Sequence, residues 1–279
     1  MTRPALPRPC SLPPAAGLAI ALLFSPLAAS ALTLGVTEGV TYRASDAEIA
    51  AKFEPLAAYL SGALKQPVQV RVLSTYNALR EATGKKELDI AFIHPAHVAL
   101  EAVKTGNYSV AAWTSGFTEY RVSFLCKEPT PIKDWASIKT KKLVTPDPDS
   151  ITAVMTRAML RQQGLAPGAP QVLNTRYQDA VPFYVENTFA QYGATASKSV
   201  IKAWTDKGGQ VCAQSQPVPI KQWIAANALP AATQAAVRAA LLGAGDSDAG
   251  RKALAASGYK GFEAPTEGAE KQLTAWLGL

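Results

Sequence analysis

The sequence predicts an α/β protein, and three observations carry that prediction. Short apolar strand-like runs alternate with segments of helical period over most of the chain, and a second series of the same kind begins near Tyr120. The 279 residues, 48% hydrophobic and 18% charged, suffice for one large or two small cores. That composition excludes a disordered chain. Three cysteines are too few for a disulfide-stapled miniprotein or a four-cysteine zinc cluster, and two histidines exclude a three-histidine metal centre.

Arg3 and Arg8 precede an apolar stretch from Ala15 to Ala28, followed by the small residues Ala29-Ser30-Ala31. Residues 1–31 are therefore expected to be a secretory signal, cleaved after Ala31, which places the protein in the periplasm. The apolar stretch is short for a membrane span. Cys10 stands ahead of it, not at the cleavage end where a lipid would be attached. Export to an oxidising compartment makes Cys126 and Cys212 candidate disulfide partners, the alternative being two separately buried thiols. No Lys/Arg run exceeds a pair, so the formal charge of +7 gives no nucleic-acid footprint. It suits a small anionic ligand as well as it suits solubility.

Leu32 to Val36 reads as a buried strand. Ser45 and Glu48 form a capping box for a helix carrying Ile49, Phe53, Leu56, Leu60 and Leu64, with Pro55 expected to kink it or start a second helix. Val68, Val70 and Val72 alternate as a strand, and Ser74 or Thr75 caps the helix that follows. Ile90 to Ile93 is a strand running into His94-Pro95, where Pro95 suits a first helical position. That helix reaches Gly106, and Tyr108 to Trp113 is the next strand. In the second series, Val122–Cys126 and Leu143–Thr145 are strands, Ile151–Gln163 is a helix ended by Gly164, and Gln178–Asn187 is helical. A strand covers Gln210–Ala213, and the tail from Pro230 is Ala-rich helix. Such alternation implies parallel sheets, whose ligands collect where strand carboxyl ends meet helix amino ends. Those corners are 37–43, 74–76 and 94–97.

The run Asp89-Ile90-Ala91-Phe92-Ile93-His94-Pro95-Ala96-His97 resembles the phosphate/phosphite/phosphonate-binding family of ABC-importer periplasmic proteins. The resemblance extends over Phe53-x-Pro55-Leu56-x-x-Tyr59-Leu60, Pro67-Val68, Tyr76-x-x-Leu79, Gly116, Tyr120, Asp147-Pro148-Asp149-Ser150 and Gly258-Tyr259-x-Gly261-Phe262, nearly the whole mature chain. It implies a two-lobed type 2 periplasmic binding fold with two crossover segments. Residues 32–117 and 214–279 would form lobe 1 and residues 118–213 lobe 2, with crossings near 115–120 and 212–217. It also implies an extracytoplasmic solute-binding protein that captures a small oxyanion (phosphate-, phosphite- or phosphonate-like) for an ABC permease. Such a protein would be monomeric, would catalyse nothing and would need no cofactor.

A tetrahedral oxyanion needs converging donors, and a helix N-terminus supplies free N–H groups with about half a positive charge. The resemblance assigns that part to Ser150, Ile151 and Thr152; read without it, Asp149 or Ser150 simply caps a surface helix. It assigns ligand contacts to Tyr76, otherwise a core-edge aromatic, and to His97, which stands where relatives often carry Tyr. Alignment puts Gln178 and Gln191, beside Tyr177, where aminophosphonate-binding relatives have two carboxylates, so an ammonium-bearing ligand loses its charge partners. Tyr177, Tyr184 and Tyr192 would line the cleft for a larger organic anion. Arg43 could offer a bidentate charge or stand solvated, and His94 lies at the same corner as His97. Two other readings stay open. One is a sensor presenting its closed form to a membrane receptor. The other is a metal site, or metallo-hydrolase, built from His94, His97 and Glu101, which share a helical face.

Overall fold

In a computed structural model the described residues are 1–2, 30–38, 44–128 and 131–279. Most of the expected signal segment and Arg43 lie outside them. The chain forms two sheets, each wrapped by its own helices.

The first half-lobe is β1 (Leu32–Thr37), α1 (Asp46–Leu64), β2 (Val68–Val72), α2 (Tyr76–Gly84), β3 (Ile90–Ile93), α3 (Ala96–Lys104) and β4 (Tyr108–Thr114). Ser45 and Glu48 close the capping box at the start of α1. Pro55 does not break this helix: it runs on through Leu64, and Ile49, Phe53, Leu56 and Leu60 are buried. Burial of such side chains, at ~1.5–3 kcal/mol each, outweighs the one backbone bond a proline removes. Thr75, not Ser74, caps α2, while Ser74 bonds Asp46. Pro95 is the residue before α3, so its helical position is one earlier than expected.

The chain then builds the second sheet: β5 (Ser123–Cys126), β6 (Lys142–Thr145), α4 (Ile151–Gln162), β7 (Gln171–Asn174), α5 (Val181–Glu186), β8 (Tyr192–Thr195), α6 (Lys198–Asp206) and β9 (Gln210–Gln214). It returns through β10 (Gln222–Ala226), α7 (Ala231–Leu242), α8 (Asp248–Ser257), β11 (Phe262–Glu263) and α9 (Ala269–Leu277). The sheet orders are β11-β4-β10-β3-β1-β2 and β7-β6-β8-β5-β9. Neither is wholly parallel. The returning β10 is antiparallel to both β3 and β4, and β5 is antiparallel to β8 and β9. A strand arriving from the other lobe is not tied to the direction that a βαβ crossover imposes.

Two segments, 115–122 and 215–221, run side by side between the sheets. The Val218 N–H donates to the Tyr120 carbonyl at 2.9 Å and the Ile220 N–H to the Phe117 carbonyl at 3.0 Å. The second crossing starts after Gln214 because β9 keeps its pairing with Ser123 to that point. A disulfide joins Cys126 to Cys212, 6.1 Å apart at Cα, across the neighbouring strands β5 and β9.

The first lobe's core is aromatic. Phe53, Phe92, Trp223, Tyr259 and Phe262 pack with ring centroids 4.7–6.4 Å apart. Thus the Gly258–Phe262 segment ends the chain's second visit to this lobe by filling its centre. The last helix departs from the expected assignment to lobe 1 alone. Leu273 and Leu277 of α9 pack in one apolar cluster with Ala96 and Leu100 of α3 and with Met155 and Met159 of α4. Among the described residues no helix is long and apolar enough to cross a membrane.

Candidate functional site

A cleft of about 520 Å³ opens beside the crossings, bordered by Tyr76 and His94 from one lobe and by residues 150–152, 177–179 and 196–200 from the other. Phe117, Tyr120 and Ile220 of the crossings form its floor. It lies where strand carboxyl ends become helix amino ends, as the sequence-based argument for such sheets requires.

Three helix starts reach this cleft: Tyr76 opens α2, Ile151 opens α4 and Lys198 opens α6. Ser150 caps α4 by accepting from the Ala153 N–H at 3.2 Å, and Ser197 caps α6 by accepting from the Val200 N–H at 3.4 Å. The first N–H groups of each helix have no carbonyl partner within it. With the hydroxyls of Ser150, Thr152, Ser197 and Ser199 they give the cleft a wall of uncharged donors. The start of α6 is a feature the sequence reading passed over. Its signal was there in Ser197 before Val200, Ile201 and Trp204, an N-cap followed by helical spacing.

Tyr76, His94, Ser150, Ile151, Thr152, Tyr177 and Gln178 all border the cleft. Gln178 is held from two sides: its Oε1 accepts from the Ala196 N–H at 2.7 Å and the Thr195 hydroxyl at 2.9 Å, and its Nε2 donates to the Tyr120 hydroxyl at 3.3 Å. Gly193 helps bring α5 down to that position, for a Cβ built there would stand 2.6 Å from Val181.

His97 and Gln191 do not reach the cleft. His97 is 1% exposed, its ring edge-on to Tyr76 at 5.9 Å and its Nε2 3.5 Å from Asp149 Oδ1. It stands behind the cleft lining and is not part of it. Gln191 precedes β8, at the end of the strand opposite the cleft, where its Oε1 accepts from the Lys142 N–H at 2.9 Å. Of the three tyrosines, Tyr177 alone lines the cleft; Tyr184 packs on Phe183 and Phe189, and Tyr192 lies near the disulfide. Two carboxylates, Glu119 and Asp179, also border the cleft, from exposed positions. Both lie outside the two aligned positions to which the sequence comparison was confined.

His94, His97 and Glu101 do not assemble as metal ligands. The Nδ1 of His94 is 2.7 Å from the Glu38 carbonyl, which fixes the proton on that nitrogen. Burial, with the Lys221 ammonium nearby, pushes this imidazole down to about 4, so it is neutral at physiological pH. Glu101 accepts from Arg80, at 2.7 Å from Nε and 3.4 Å from Nη2. No group of three such side chains suited to a metal occurs among the described residues.

Arg80 also spans the lobes. From α2 it forks onto Asp149, the residue before the α4 cap, at 2.8 and 2.9 Å. His97 and this fork hold the Asp149 carboxyl well below the usual carboxylate range. The clasp is about a third exposed, which limits it to about 1 kcal/mol. Arg80→Met is therefore expected to weaken ligand binding about fivefold and to enlarge the ligand-free particle in small-angle scattering. Unchanged affinity and dimensions would show that the clasp does not bias lobe closure.

The profile of the family described as "ABC transporter, phosphonate, periplasmic substrate-binding protein" matches residues 39–269. The chain belongs to this family. Members of this phosphonate-binding family are periplasmic substrate-binding proteins, a non-enzymatic class. Solved structures share the two-lobed fold. XAC2383 from Xanthomonas citri bound to ATP matches with TM-score 0.72 and 14% identity, over 90% of this chain and 98% of the other. PhnD1 from Prochlorococcus marinus in complex with methylphosphonate matches with TM-score 0.63 and 16% identity, over 88% and 96%. A binding protein component of an ABC phosphonate transporter from Pseudomonas aeruginosa matches with TM-score 0.60 and 16% identity, over 88% and 85%.

Proposed function

We propose that this protein captures a small tetrahedral oxyanion in the interlobe cleft and delivers it to the permease of an ABC importer, after export directed by residues 1–31. The observation that carries the reading is the convergence of three helix starts, with serine and threonine hydroxyls, on one cleft between two lobes. Such a wall neutralises an anion with fixed dipoles and needs no mobile cation. ATP and methylphosphonate, the ligands of two relatives of the same fold, both carry a tetrahedral phosphorus oxyanion. Closure follows because the ligand contacts both lobes only when they meet.

The test is a thermal-shift and calorimetric screen with phosphate, phosphite, methylphosphonate, sulfate and methanesulfonate. At least one is expected to raise the melting temperature progressively, by the equivalent of about 2.7 kcal/mol at a hundredfold excess over Kd. Tyr76→Phe, which keeps the buried ring and removes only the hydroxyl, should weaken that ligand while leaving the ligand-free melting temperature little changed. A flat response to all five would overturn the reading.

A further inference from the structure

Resting on the oxyanion reading, we infer that Gln178 sets the direction of a hydrogen-bond chain that obliges the Tyr120–Thr152 pair to donate to the bound ligand. The argument is a proton count. The Ala196 N–H can only donate, so the atom of Gln178 that faces it at 2.7 Å is the amide oxygen, and the Thr195 hydroxyl at 2.9 Å agrees. The amide nitrogen is then the atom facing Tyr120, and it donates to the phenol oxygen at 3.3 Å. Tyr120 and Thr152 share a single contact, at 2.8 Å between their oxygens. Two hydroxyls bring two protons, and one contact consumes one. The second proton is bonded to no other acceptor among the described residues, and both side chains border the cleft. Burial raises the Tyr120 phenol above its ordinary value, so it keeps its proton. Whichever hydroxyl holds the spare proton, the pair presents a donor, and the ligand atom seated there is an unprotonated oxygen.

Gln178 thus acts on the ligand through two other residues, as a positioning residue for specificity. Gln178→Glu reverses the chain with almost no change of shape. One carboxylate oxygen keeps the Ala196 and Thr195 bonds, and the other accepts the Tyr120 proton. Tyr120 then accepts from Thr152, both protons are spent, and the pair offers the cleft only lone pairs.

The experiment measures affinity by calorimetry for methanesulfonate and for methylphosphonate at mildly acidic pH, where both are monoanions of similar size. The second carries a P–OH and the first does not. His94, Glu119, Asp179 and Lys198 border the cleft in both measurements, and the charge added by Gln178→Glu repels both anions alike. A change in the ratio of the two affinities therefore reports the hydrogen-bond direction and not charge. The ratio is expected to move toward methylphosphonate by about tenfold in Gln178→Glu, the weight of one acceptor facing an acceptor. In a Tyr120→Phe background the same substitution should leave the ratio unchanged. An unmoved ratio in folded Gln178→Glu, or an equal shift with and without Tyr120, overturns the inference. Failure of the wild-type chain to bind these two anions and phosphate, phosphite and sulfate as well would instead overturn the oxyanion reading beneath it.

Discussion

Lys221→Met is expected to lower the unfolding free energy by about 3–5 kcal/mol, because it strands a buried carboxylate. Glu38 and Lys221 are 4% and 3% exposed and meet at 2.8 Å. The Tyr259 hydroxyl donates to Glu38 at 2.7 Å, Lys52 pairs with the same carboxyl, and the Lys221 ammonium sits 4.4 Å from the Phe117 ring. Burial alone would raise the Glu38 carboxyl, yet Lys221, Lys52 and Tyr259 together hold it at about 2. A carboxylate depressed on folding stabilises the native state above its unfolded value near 4.5. That contribution is lost as pH falls toward 2. Urea denaturation should therefore show wild-type stability declining across that window, with a shallower decline in Glu38→Gln. The double variant Lys221→Met with Glu38→Gln should recover much of the loss, since it removes the stranded charge. A cost below about 1 kcal/mol for Lys221→Met would show that Lys52 and Tyr259 suffice. Because Lys221 ends one crossing segment and Glu38 holds His94 at the cleft, the cluster also fixes the lobe-1 wall of the site.

The second large effect is on binding. Ile151→Pro should weaken the oxyanion by about tenfold to a hundredfold, the loss of one charge-assisted donor at about 1.5–3 kcal/mol. Ile151 is the first residue of α4, a position where proline fits the helix, and Ser150 already has the extended backbone (φ −74°, ψ 148°) that precedes proline. The substitution deletes the Ile151 N–H and little else of the backbone. Ile151 is also buried, so Ile151→Ala serves as the control for lost packing. Calorimetry should show the affinity loss in the proline variant alone, with both variants folded by circular dichroism. Equal losses in the two would assign the effect to the side chain and remove the helix start from the binding wall.

Much of the fold could be read from local pattern, and the reasons are specific. Ser45, Thr75 and Ser150 are capping residues whose chemistry acts within four positions, so α1, α2 and α4 start where the sequence puts them. The strand at Ile90–Ile93 and its corner at His94 followed from a short apolar run meeting proline. Long-range choices were less accessible. The sequence Gln222–Ala226 carries no turn signal marking it as the strand returned between β3 and β4, since its neighbours lie more than a hundred residues away. At the site, Tyr76, His94, Ser150, Ile151, Thr152, Tyr177 and Gln178 border the cleft, while Gln191 lies off it because its strand runs toward the cleft from the far side. His97 failed through helix phase, being turned to the neighbouring Asp149 and away from solvent. Ser197 carried a local N-cap signal, whereas Glu119 and Asp179 are exposed acids with no pattern of their own, beside Tyr120 and Gln178 on the cleft rim.

The straddling C-terminal helix limits what kind of movement this molecule can make. Were 115–122 and 215–221 its sole joints, the halves could swing freely like covers of a book. With Leu273 and Leu277 seated on α3 and α4 together, any swing drags a greasy bearing across its track. Turning the halves against each other must therefore also slide that apolar contact, so the tail helix opposes a simple swing.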